Sequence, residues 1–124
     1  MLAKKLSYYM QRRDERGSFQ GLINQGNWKE VNLASTYAGE IRGGHFHKNT
    51  REIIFLVRGE AEVELKDVRN PEKAEKFILQ PGEGVEIEPY ILHTLKYLQD
   101  SEQIALLTQA FEPSDPDLHT IASN

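Results

Sequence analysis

The stretch Gly39-Glu-Ile-Arg42-Gly43-Gly44-His45-Phe46-His47-Lys48-Asn-Thr-Arg51-Glu52-Ile-Ile-Phe55-Leu-Val-Arg58-Gly59 decides how this chain is read. Residues 53–57 are an unbroken apolar run of strand length, which suits a strand covered on both faces. Before that run stand two histidines at i and i+2, a spacing that turns both imidazoles to one side of an extended backbone. Glu52 opens the apolar strand, and His93 lies on a later one. Three imidazoles and a carboxylate brought to one point form a ligand set for a divalent metal such as zinc, iron, manganese or nickel. An isolated H-x-H is more often a pair of solvated side chains. Here three of the chain's four histidines join the pattern, and only His119 stands apart.

Outward from this stretch the chain reads as short strands divided by turn signals. Residues 24–27 form a loop around Gly26, and Val31 and Leu33 share one face of a loosely alternating segment. Beyond Gly59, Ala61, Val63 and Leu65 alternate with Glu60, Glu62 and Glu64, as in a half-exposed strand with solvent-facing glutamates. Asn70-Pro71 marks a loop, and Pro81-Gly82 closes a strand that begins at Phe77. Val85 and Ile87 alternate with Glu86 and Glu88, and residues 92–98 and 104–111 supply two further strands. Only residues 1–12 admit a short helix. Such spacing predicts an all-β sandwich or barrel with a cavity open at one end. Trp28, Phe55, Phe77 and Phe111 are the expected aromatic core.

At 124 residues the chain suits one domain, residues 1–124, with an N-terminal extension at 1–13 and an irregular tail at 112–124 that leaves the barrel. With no cysteine, disulfides, thiolate ligands and a cysteine nucleophile are excluded, so any metal is held by nitrogen and oxygen. A net charge of -4 speaks against nucleic acid as a partner. No run approaches the roughly 18 apolar residues of a membrane span. The basic start lacks an apolar segment and cleavage site, so a cytoplasmic location is the expectation. His119, in a tail rich in Asp, Pro and Ser, is expected to be solvated.

The spacing G-x5-H-x-H, E, G at Gly39, His45, His47, Glu52 and Gly59 resembles the first motif of the cupin superfamily. The second motif, G-x5-P-x-G-x2-H, is met by Gly84, Pro89 and His93 with one residue too few on each side of Pro89. Its inner glycine is missing from Pro89-Tyr90-Ile91-Leu92. Two further segments narrow the likeness. Asp14-Glu-Arg16-Gly17-Ser-Phe19 and Arg42-Gly-Gly-His45-Phe-His47-Lys48 resemble segments of cupins that act on 4-keto deoxy nucleotide sugars, including dTDP-sugar 3,4-ketoisomerases. The match from Arg16 to the Phe111-Glu-Pro-Ser-Asp-Pro-Asp117 ending is similar to the C-terminal cupin domain of bifunctional capsule-biosynthesis enzymes.

This resemblance implies a jelly-roll double-stranded β-helix, a nucleotide-sugar substrate, a homodimer and a place in polysaccharide biosynthesis. In the capsule domain it implies zinc and epimerisation at C3 of a UDP-4-keto-6-deoxy sugar. In the ketoisomerases it implies metal-free acid–base chemistry by the two histidines. The ketoisomerases commonly carry glutamine at the position of Glu52, so glutamate here implies the metal-binding branch. Abstraction of the hydrogen α to the ketone needs a base and a stabilised oxyanion. A metal on His45, His47, Glu52 and His93 would polarise the carbonyl, although four protein ligands also suit a structural zinc. Without metal, His45 is the expected base, His47 the acid, and Glu52 their orienting partner. Tyr37 is the further catalytic candidate. Arg42, Arg16, Lys48 and Tyr90 are the substrate-binding candidates, since a guanidinium pairs well with a diphosphate. Competing readings are an iron-dependent oxygenase and a non-catalytic sugar-nucleotide-binding module.

Overall fold

The computed structural model describes residues 2–121 and is built from eleven strands, all paired antiparallel. They are β1 (Ala3–Ser7), β2 (Met10–Asp14), β3 (Gly17–Gly21), β4 (Glu30–Thr36), β5 (Ile41–His45), β6 (Glu52–Arg58), β7 (Ala61–Asp67), β8 (Ala74–Leu79), β9 (Glu83–Ile87), β10 (Ile91–Tyr97) and β11 (Ser101–Leu107). One sheet runs β1-β9-β6-β11-β4, the facing one β5-β10-β7-β8, and β2-β3 is a separate hairpin. Chain-distant neighbours in both sheets make this a jelly roll, the cupin-type architecture expected from the sequence.

The core lies between the sheets. Period-2 alternation turns Val63 and Leu65 of β7, Leu95 of β10, Val85 and Ile87 of β9, and Ile54 and Leu56 of β6 into it. The apolar run of β6 has two covered faces, as its composition requires. Ile54 and Leu56 join the core, while Phe55 stacks on Tyr8 with ring centroids 5.6 Å apart. The first residue of the same inward set is Glu52, so the strand that supplies core also delivers a carboxylate to the interior.

Several expectations are corrected. Residues 3–7 are not helical but an edge strand paired with β9 from Ala3↔Ile87 to Ser7↔Glu83. Its two mostly exposed faces leave no periodicity to read. The last strand ends at Leu107, and Phe111 lies beyond it, 57% exposed rather than in the core. Trp28 is half-buried on the loop before β4, where its Nε1 donates to the Gln25 carbonyl. Residues 112–119 do not leave the barrel. They return across the histidine loop, with Phe46 and His119 exchanging backbone hydrogen bonds of 2.9 and 3.0 Å. His119 is accordingly half-buried, not solvated. Residue 1 and residues 122–124 of the expected terminal segments lie outside the described residues.

Candidate active site

Gly43 and Gly44 build a β-bulge rather than a tight turn. Both have positive φ, +87° and +73°, and the β5–β10 register shifts there. His45 pairs with His93, Gly43 with Thr94 and Arg42 with Leu95, so Gly44 is the extra residue. On a regular strand, residues 42 and 45 would face opposite sides. The bulge turns Arg42 and His45 to one face, where their partners Leu95 and His93 point inward. A Cβ on Gly43 would stand 2.5 Å from the His93 carbonyl oxygen. Gly43→Ala is therefore expected to cost more than the roughly 1–3 kcal/mol of a non-glycine at such a φ, and to displace His45 and His93. Urea denaturation and the histidine NMR signals check this.

Four side chains converge from both sheets: His45 at the end of β5, His47 just after it, Glu52 from β6 and His93 from β10. One ligand atom from each lies within 4.8 Å of every other. The imidazole centroids are 4.7 Å (His45–His93) and 5.3 Å (His45–His47, His47–His93) apart. His47 and His93 are buried, and His45 is half-buried. Nδ1 of His47 lies 2.9 Å from the Asp117 carbonyl oxygen, and Nδ1 of His93 lies 3.1 Å from that of Ile91. A carbonyl only accepts, so both Nδ1 atoms carry the proton and both Nε2 atoms face the centre. There His47 Nε2 is 3.2 Å, and His93 Nε2 3.3 Å, from Glu52 Oε1. The first contact is a hydrogen bond. The second is off-axis, and the buried His93 Nε2 has no hydrogen-bond partner.

The charge balance follows from this geometry. Burial alone would raise the Glu52 carboxyl, but the hydrogen bond from His47, and then the neighbouring His93, hold it at about 2. Burial would lower His47, yet its bond to Glu52 and its contact with the Asp117 carbonyl raise it above the ordinary value. His45 is pushed down to about 4, by burial first and then by His93 and His47. The carboxylate thus calls for one positive charge among the imidazoles, which a proton on His47 or a divalent cation can supply. The inward Nε2 atoms and the orphaned nitrogen of His93 fit a cation of the N/O class.

Of the other candidates, Arg42 lies on β5 opposite Leu95, which is two residues along β10 from His93, and it is exposed. Its Nε donates to Thr36 Oγ1 at 2.6 Å and a terminal nitrogen to the Ser35 carbonyl at 3.2 Å. This ties the edge of one sheet to the edge of the other. Tyr37 is not brought to the cluster. It is 78% exposed and borders a hollow with Arg58 and Asp100. Arg16 pairs with Asp14 at the tip of the β2-β3 hairpin, at 2.7 Å. The Lys48 side chain is exposed. The Tyr90 ring packs behind the histidine loop, near Phe46 and under Arg69.

Tyr90 explains the irregular second motif. It lies three residues before His93, where the cupin pattern counted back from its histidine has glycine, and it adopts φ +69°. Its amide donates to the His47 carbonyl at 2.7 Å. Tyr90→Gly is expected to be more stable than Tyr90→Ala by about 1 kcal/mol, reversing the usual order, because only glycine takes this φ freely. Chemical denaturation of the two variants measures the difference.

Asp117 was not among the sequence-derived candidates. Its Oδ1 accepts from the Lys48 amide and contacts His119 Nε2, and its Oδ2 accepts from the Asn49 amide and the Thr50 hydroxyl, all within 2.8–2.9 Å. Burial would raise this carboxyl, but those bonds hold it well below the carboxylate range. Its one sequence signal was the Pro116-Asp117 ending. A surface hollow of about 820 Å³ is lined by β1, Trp28 and Arg51 and by none of the four clustered residues. A hollow of about 410 Å³ reaches His47 from the side of the tail.

The polysaccharide biosynthesis C-terminal domain family matches residues 12–119. No curated protein matches the chain. Among solved structures, the rmlC epimerase of Mycobacterium tuberculosis superposes with a TM-score of 0.82 at 20% identity, over 97% of this chain and 68% of that one. A mutant of the 3,4-ketoisomerase QdtA from Thermoanaerobacterium thermosaccharolyticum, in complex with TDP-4-keto-6-deoxyglucose, does so with 0.78 at 15%, over 91% and 84%. The capsular polysaccharide assembling protein CapF from Staphylococcus aureus gives 0.69 at 22%, over 92% of this chain but 32% of its own length. At these identities the structural likeness bears on architecture alone. The family match, covering most of the chain, bears on kinship: this protein belongs to the polysaccharide biosynthesis C-terminal domain family.

Proposed function

We propose that this chain is an isomerase of a 4-keto-6-deoxy nucleotide sugar, working through an enolate or enediol, as a cytoplasmic homodimer in polysaccharide biosynthesis. The observation that carries the reading is the inward set of imidazole nitrogens around one carboxylate, with His45 the imidazole least buried. Family membership and the TDP-4-keto-6-deoxyglucose held by a fold relative support the substrate class. A divalent cation on His45, His47, Glu52 and His93, zinc by preference, would supply polarisation of the C4 carbonyl when bound. Around it, Glu52 balances the charge, and His47 and His93 hold their Nε2 atoms inward. Arg42 is assigned the diphosphate or the keto oxygen. Arg16, on the hairpin, is assigned the phosphates of a substrate bound in the second copy. Outward Val31 and Leu33 on β4 and the exposed Phe19 support a paired state.

The opposite displacement of His45 and His47 favours a second reading, the metal-free 3,4-ketoisomerase. There neutral His45 takes the C3 proton and protonated His47 returns one to C4, while the proton lost by the C3 hydroxyl is made up on the C4 oxygen, which becomes the new hydroxyl. Metal content of the purified protein, with product identification, separates the two. The first reading expects about one zinc per chain and a C3 epimer. A 3-keto product without metal supports the second, and no product from any 4-keto sugar removes both.

No helix among the described residues is long and apolar enough to cross a membrane.

A further inference from the structure

We propose that Asp117 is a positioning residue of this site, fixing the tautomer and aim of His47 from the C-terminal segment. The inference rests on the reading above that the imidazole cluster is the working centre. His93 is held by the ladder of β10, and its Nδ1 partner, Ile91, lies two residues away on the same strand. His47 lies on no strand ladder, two residues past the end of β5 and before β6, and its backbone is held by the Tyr90 amide alone on that side. Its ring needs a partner from elsewhere in the chain, and residue 117, seventy positions away, provides one.

Asp117 acts through two groups at once. Its φ of +53° lies in the left-handed region, which aspartate tolerates better than most residues. In that conformation its carbonyl meets His47 Nδ1 while its carboxylate takes the Lys48 and Asn49 amides and the Thr50 hydroxyl. The carboxylate therefore clamps the loop that follows His47, and the same clamp presents the carbonyl to the ring. His119, bonded to the same carboxylate and bridged to Phe46, braces the other side. Such outer partners typically set ligand orientation and tautomer.

Two variants test this in the full chain. Asp117→Gly permits the backbone conformation and removes the carboxylate, and Asp117→Asn keeps one of its two oxygens. Ring nitrogen NMR of the histidines is recorded for each, together with zinc titration. In the glycine variant, His47 is expected to lose the hydrogen-bonded Nδ1–H signal that the Asp117 carbonyl holds while His93 keeps its own, and zinc affinity to fall about 10- to 100-fold. The asparagine variant is expected to fall between. A merely structural aspartate would lower the melting temperature and leave the His47 pattern untouched. Wild-type His47 signals and wild-type zinc affinity in a folded variant would overturn the proposal, and Asp117→Asn decides it if Asp117→Gly does not fold. If the wild-type protein takes up no zinc, the metal reading fails, and the tautomer comparison still judges Asp117.

Discussion

Asparagine in place of His45 is expected to reduce turnover by roughly 10²–10⁴-fold, the range one general acid or base contributes, with little change in stability. The half-buried ring ends a strand and adds little to the core, so its removal should spare the fold. Its effect on chemistry is large in both mechanistic readings, as base in one and as ligand in the other. The pH dependence carries the sign. His45 is held at about 4 by burial and by its histidine neighbours, so it is neutral, and able to accept a proton, throughout the range above that value. In the metal-free reading, the acid limb of wild-type kcat/KM is expected as pH drops toward about 4, with an alkaline limb where the raised His47 loses its proton. An acid limb at the ordinary histidine value of about 6.5 would mean that another imidazole sets the profile.

Glu52→Gln is the second large effect, and it also divides the two readings. Glutamine keeps an oxygen for the His47 N–H and removes the charge. If the cluster holds a cation, affinity should fall by more than the roughly 10–100-fold of losing an outer partner, and turnover by on the order of 10³. If the imidazoles work without metal, the variant should keep much of its turnover. Glu52→Leu probes stability. Removing one partner of a buried ion pair costs about 3–5 kcal/mol near neutrality. Because the folded carboxyl is depressed to about 2, its contribution is complete above the ordinary glutamate value of about 4.3 and is lost as pH falls toward about 2. The stability gap between Glu52→Leu and wild type should therefore narrow across that acid window, hold above it, and narrow again as pH rises through the raised value of His47, where the pair loses its proton. Denaturant titrations at several pH values measure this.

Much of the fold was legible because most barrel strands advertise a covered face. The strict alternation of β7 and the continuous run of β6 gave both their strand character and their orientation. The strands that escaped notice lack that signal. β1, β2 and β3 expose most of their side chains, so nothing periodic marks them. β11 begins with Ser101, Glu102 and Gln103, polar residues of which Ser101 and Gln103 are buried. That places its start earlier, and its end short of Phe111, compared with an apolar reading.

The site divides in the same way. The H-x-H spacing and Glu52 at the head of an apolar strand are local facts, so convergence of His45, His47 and Glu52 could be anticipated. His93 joined them despite its irregular motif, because Tyr90 accepts the backbone conformation that glycine usually supplies. Tyr37 and Arg16 were selected by resemblance, and neither reaches the cluster within one chain. The register that sets Arg42 opposite Leu95 depends on a bulge at Gly43 and Gly44 that no alternation pattern reveals. Asp117 depends on a contact across seventy residues between segments without regular structure, and local sequence carries almost nothing of it.

The most direct measurement is incubation of the purified protein in deuterated water with TDP- and UDP-linked 4-keto-6-deoxyhexoses, followed by NMR at the sugar ring. Steady loss of the C3 proton signal, dependent on His45, is the predicted result. A C3 signal that stays at full intensity with every such sugar, under conditions where the nucleotide is bound, would contradict proton transfer by this cluster.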